Sequence, residues 1–121
     1  MENAPAAVQL ESIKSFQSTI QKSGKALAQM KGKGASTSLI EKRLKALRVG
    51  LAALEKVWHE KPHSYRKEEM AAARDVLAGL LPSLESMYAK SKARSPQGTL
   101  LEKRISSIEL AIGAIDEFLS E

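Results

Sequence analysis

Two histidines, His59 and His63, stand four residues apart, a spacing that can hold a metal ion on a continuous helix. Pro62 lies between them, only Glu60 is at hand as a further ligand, and the chain has no Cys. Both are therefore read as loop histidines, and no metal or cofactor is expected. Four-helix bundles can house di-metal carboxylate centres, but those take Glu-x-x-His from facing helices. Here that pattern occurs once, across a turn, as Glu60-Lys61-Pro62-His63. The GKGAS run at 32–36 lacks the spacing of a phosphate loop and follows no strand. Glu41 and Glu102 are helix-start residues before they are acids or bases. No nucleophile–base pair, metal set or cofactor loop can be assembled, so the reading is not an enzyme, with no small-molecule substrate.

Charge is more informative. The net charge of +5 permits an anionic partner without demanding one. Its distribution is uneven. From Ser12 to Ile40 there is no acidic residue, but there are Lys14, Lys22, Lys25, Lys31 and Lys33. From Ser86 to Leu101 there is again none, but there are Lys90, Lys92 and Arg94. Ser36, Thr37, Ser38 and Ser95 stand beside these cations as weak candidates for phosphorylation.

The elements that must position these groups follow from a repeat. LIEKRLKALRVGLAALEKVW at 39–58 is echoed by LLEKRISSIELAIGAIDEFL at 100–119, an offset of 61 residues. Leu39 meets Leu100, Glu41-Lys42-Arg43 meets Glu102-Lys103-Arg104, and Ala53 meets Ala114. Such an internal repeat predicts a duplicated supersecondary unit, about 6–60 and 65–121, within a single domain. Ile40, Leu44, Leu47, Leu51, Leu54 and Trp58 alternate spacings of four and three, as do Leu101, Ile105, Ile108, Ile112, Ile115 and Leu119. That alternation is the apolar stripe of an amphipathic helix. Weaker stripes run through Ile13, Phe16, Ile20, Leu27 and Met30, and through Met70, Ala73, Leu77, Leu80, Leu84 and Met87. Four helices are predicted, near 6–31, 37–60, 65–93 and 99–120.

Ser38…Glu41 and Thr99…Glu102 fit capping boxes at equivalent places. Lys31-Gly32-Lys33-Gly34, Lys61-Pro62 and Ser95-Pro96-Gln97-Gly98 mark the turns. Pro82 falls inside the third helix, leaves the Ala78 carbonyl without its usual partner, and predicts a kink. Short connections favour antiparallel neighbours. The expected fold is all-α, an antiparallel up-down-up-down four-helix bundle built from two tandem helical hairpins. A swapped dimer in which hairpins of two chains complete each other is the alternative.

That alternation would bring the first and third loops to one end. Lys31, Lys33, Lys42 and Arg43 would then join Lys90, Lys92, Arg94, Lys103 and Arg104 in a basic pole, helped by two helix N-termini. Such a pole suits a protein partner, an anionic surface or phosphates. Basic residues at helix ends also simply offset the helix dipole. Only Tyr88 stands among these cations, so base stacking is not expected. Val49, Leu110 and Phe118 lie off the stripes, with Val57, Val76 and Leu81. They either widen the core face or, exposed together, mark an apolar interface. Aromatics at 4% and charged residues at 27% fit a soluble helical protein. The opening MENAPAAVQLES has no basic stretch before an apolar core, and no apolar run spans a membrane, so a cytoplasmic location is expected. The function predicted is a non-enzymatic helical interaction, adaptor or assembly module that binds a protein or itself. A nucleic-acid accessory protein contacting the phosphate backbone is the alternative.

Overall fold

The computed structural model describes residues 4–121. Residues 1–3 of the opening segment lie outside the described residues. Four α-helices follow one another: α1 Ala6–Gly32, α2 Ser38–His59, α3 Lys67–Lys90 and α4 Pro96–Leu119. The chain is all-α and packs as a four-helix bundle, with contacts between consecutive and non-consecutive helices. None of the described helices is long and apolar enough to cross a membrane.

Helix ends follow local chemistry, though not always at the predicted residue. Ser95 is the N-cap of α4: its Oγ accepts the Gly98 N–H at 3.0 Å, and Pro96 takes the first helical position, where its missing N–H costs nothing. The Thr99 N–H donates to the Ser95 carbonyl, so Thr99 lies inside the helix and does not cap it. Ser38 is likewise inside α2. Thr37 holds the cap position without a side-chain bond, so neither predicted capping box forms. A reciprocal bond appears instead at α3, where Glu69 accepts the Arg66 N–H at 3.2 Å. Glu60 closes α2 in the left-handed region, with φ 54°, and Pro62 prevents the helix from resuming. The helix α3 runs unbroken through Pro82, which lies on its exposed side.

One core joins all four helices: Phe16 from α1, Leu47, Val49 and Leu54 from α2, Met70 and Leu77 from α3, and Ile108 and Ile115 from α4. Burying each such side chain contributes about 1.5–3 kcal/mol before entropy is counted. Contacts join α1 to α2, α2 to α3, α3 to α4 and α1 to α4, and α2 also meets α4 across the bundle, while α1 and α3 stay apart. Small residues are buried on both α2 and α4, and Ala53 and Ala114 border one cleft. Ala46, Gly50 and Ala53 are buried on α2, and Ser107, Ala111 and Ala114 are buried on α4. Small side chains at the contact let helix axes approach closely. These residues pair at the 61-residue offset, as do the buried Leu47 with Ile108 and Leu54 with Ile115.

Val49 is fully buried, and Leu110 and Phe118 are half-buried against the core. The predicted apolar interface therefore does not exist as an exposed patch. Their off-stripe positions widen the core face, because a helix that meets three neighbours needs more than one narrow stripe.

Candidate functional site

Within each hairpin the helices run antiparallel. Lys31, in the last turn of α1, lies 3.8 Å from Glu41 in the first turn of α2. Arg74 of α3 pairs with Asp116 of α4, and the Lys67 Nζ donates to the Glu121 carbonyl at 2.8 Å. Between hairpins the register differs. Lys103 lies 3.7 Å from Glu11, and the Ser107 hydroxyl meets that of Ser15 at 3.4 Å, so the first turns of α4 lie beside the first turns of α1. Lys45 lies 3.2 Å from Glu69, which sets the early turns of α2 beside those of α3.

This placement divides the predicted basic pole. Glu11 and Lys31 belong to one unbroken helix, so they stand about 30 Å apart at ~1.5 Å per residue. Lys103 is at the Glu11 end, while Lys31 and Glu41 are at the other. Lys31, Lys33, Lys42 and Arg43 thus form one basic tip. Lys90, Lys92, Arg94, Lys103 and Arg104 form a second, and the two do not converge. The hairpins cross so that the start of α4 lies beside the start of α1, which leaves the first and third loops at different ends.

At the second tip Tyr88, Ser91, Lys92, Arg94 and Thr99 line an open cleft of about 550 Å³. Gly98 keeps its turn tight: a Cβ there would meet the Ser91 Oγ at 3.0 Å and the Ser95 Oγ at 3.1 Å. Arg104 is half-buried and its Nε finds no acceptor. Beside the first tip, Lys42, Lys45, Ala46, Glu69, Ala73 and Val76 border a shallow groove of about 240 Å³ between α2 and α3. Glu69 is held below the usual carboxylate range, first by the Arg66 N–H and then by Lys45.

Among the described residues, Leu39 (60%), Met87, Tyr88 and Leu100 (43%) are exposed at the tips, and Leu10 is exposed near the start of α1. The signal was present in the adjacent pairs Leu39-Ile40 and Leu100-Leu101. Successive helical residues point about 100° apart, so only one of each pair can follow the stripe inward. Leu101 is buried at 3% and Ile40 is half-buried, and their neighbours face water.

His63 lies away from both tips. Its ring packs between Tyr65 and Phe118, with centroids 5.6 and 5.5 Å away, and its Nδ1 accepts the Tyr65 N–H at 3.1 Å. Burial, and then the nearby Lys56, lowers its pKa below 6.5. Lys56 also sits 4.6 Å over the Phe118 ring. His63, Lys56 and Phe118 border a cleft of about 220 Å³ with Met70 and Val57. Among the described residues no three His, Asp or Glu side chains gather as metal ligands. Comparison with known proteins finds no matching family model, no similar curated protein and no similar solved structure.

Proposed function

We propose that this chain is a non-enzymatic helical interaction module that holds acidic protein segments at the basic tips of its hairpins. The observation that carries the reading is the coincidence of exposed leucine with lysine and arginine at each tip. Apart from Leu10 near the start of α1, the large apolar residues elsewhere among the described ones are at least half-buried, so these are places where a partner gains by covering surface. Cations beside them select an acidic partner. A second reading, an accessory protein on the phosphate backbone of nucleic acid, draws on the acid-free stretches Ser12–Ile40 and Ser86–Leu101.

The two readings separate in one titration at about 50 and 200 mM salt, where phosphate contacts reveal themselves. The ligands are a labelled acidic helical peptide bearing leucines and a labelled DNA duplex of equal charge. The module reading expects the peptide to be held more tightly, and Lys31, Lys33, Lys92 and Arg94 changed together to Glu to release it. DNA held more tightly, with steep salt dependence, would favour the second reading. No binding of either ligand would sink both.

A further inference from the structure

We infer that the two tips are equivalent docking facets, so that one chain holds two acidic, leucine-bearing segments at once, about 30 Å apart. The inference rests on the module reading above and adds its valence. Each facet is the same three residues on the second helix of a hairpin. Leu39, Lys42 and Arg43 lie on α2, and Leu100, Lys103 and Arg104 lie on α4, 61 positions later. Residues spaced three and four apart share one helix face, so each leucine lies beside its own pair of cations.

Both leucines are exposed, at 60% and 43%, while the residues after them turn inward. The cations are not fully committed to partners within the chain. Lys42, Arg43 and Lys103 are exposed, while Arg104 is half-buried. Lys103 reaches Glu11 only at 3.7 Å, an exposed pair that a partner carboxylate can exchange with at little cost. An acidic segment with a leucine-sized side chain answers both halves of the facet. A bare phosphate backbone would answer the cations and leave the leucines in water.

The separation follows from the fold. Facet one lies where Lys31 meets Glu41 at the end of α1, and facet two lies where Lys103 meets Glu11 at its start. With the intervening length of α1 between them, the facets cannot serve a single short segment. The chain therefore bridges two segments.

The test is isothermal titration of the full chain with a synthetic acidic peptide carrying leucines at helical spacing. Two peptides per chain are expected. Leu39→Ser with Lys42→Glu and Arg43→Glu should leave one, as should Leu100→Ser with Lys103→Glu and Arg104→Glu, and the combined variant should leave none. Leu39→Ser or Leu100→Ser alone should weaken its own facet about tenfold, as expected for losing a buried leucine contact. Far-ultraviolet circular dichroism melts of each variant verify that the bundle is intact. One peptide per intact chain would overturn the bivalence and leave the module reading standing. Binding that ignores the leucines would overturn the facet, and absence of binding would overturn both.

Discussion

Phe16 of α1 occupies the space that a side chain at Gly50 of α2 would need. A Cβ at position 50 would lie 2.9 Å from the Phe16 Cε1, and on its other flank 3.1 Å from the Leu77 Cδ1 of α3. Phe16 and Leu77 are 61 residues apart, the offset of the repeat, and both are buried. The two outer helices, which do not touch as backbones, thus converge on one glycine of the helix between them.

Gly50→Ala should therefore destabilise the protein, although alanine is the better helix former. Overpacking costs about 1–3 kcal/mol in a close-packed core, and the gain in helix propensity returns about 1 kcal/mol. Gly113, in α4, has open space where a Cβ would go. Gly113→Ala should stabilise by up to about 1 kcal/mol. Urea melts of the two variants beside the parent decide this. Equal shifts of the same sign would contradict the packing at Gly50.

The caps make a second prediction. Ser95→Ala removes the hydroxyl that accepts the Gly98 N–H at the start of α4 and should cost about 1 kcal/mol. Ser38→Ala should change stability little, because Ser38 makes no cap bond. Thr99→Ala should be similarly mild. Thermal melts in which Thr99→Ala is the more damaging of the two α4 variants would move the helix start back to the capping box.

Arg74 and Asp116 tie α3 to α4 through two hydrogen bonds, the second from Nη2 to Oδ2 at 3.1 Å. Asp116 raises the pKa of Arg74 above its usual range. Both side chains are exposed by more than a third, so salt should screen the pair. A double-mutant cycle of Arg74→Ala and Asp116→Ala should show favourable coupling that shrinks as salt is added. Arg74→Lys should recover only part of it, since an ammonium lacks the planar fork. Coupling that grows with salt would rule out the charge pairing.

His63 gives the fold a dependence on pH. Its folded pKa lies below the unfolded value of 6.5, first because of burial and then because of Lys56. In the window between the two values the unfolded chain binds the extra proton, so stability rises with pH there. The contribution is complete above 6.5 and is lost as pH falls through the folded value. His63→Phe keeps a ring between Tyr65 and Phe118 but cannot titrate. Thermal melts between about pH 5 and 7.5 should show a parent that weakens toward acid more steeply than this variant. Parallel curves would mean that His63 carries no share of the dependence.

Sequence by itself determined the helices, their inward faces and their pairing into hairpins, because each of these is local. A stripe of spacings four and three needs only the helical repeat, and Lys61-Pro62 or Ser95-Pro96 ends or starts a helix wherever the rest of the chain lies. It also carried the charges of each tip and the repeated Leu-x-x-Lys-Arg triplet. Tertiary structure alone decided how one hairpin lies on the other. An apolar stripe says that a face is buried, not against what. Side-chain size marks the places: Gly50 of α2 takes Phe16 of α1 and Leu77 of α3 against it, and Ala53 of α2 borders one cleft with Ala114 of α4. The resulting packing buries Val49, sets Lys103 beside Glu11, and places the two basic tips about 30 Å apart. Two hairpins with similar stripes can dock in more than one register, and only the fit of large residues into small ones selects between them.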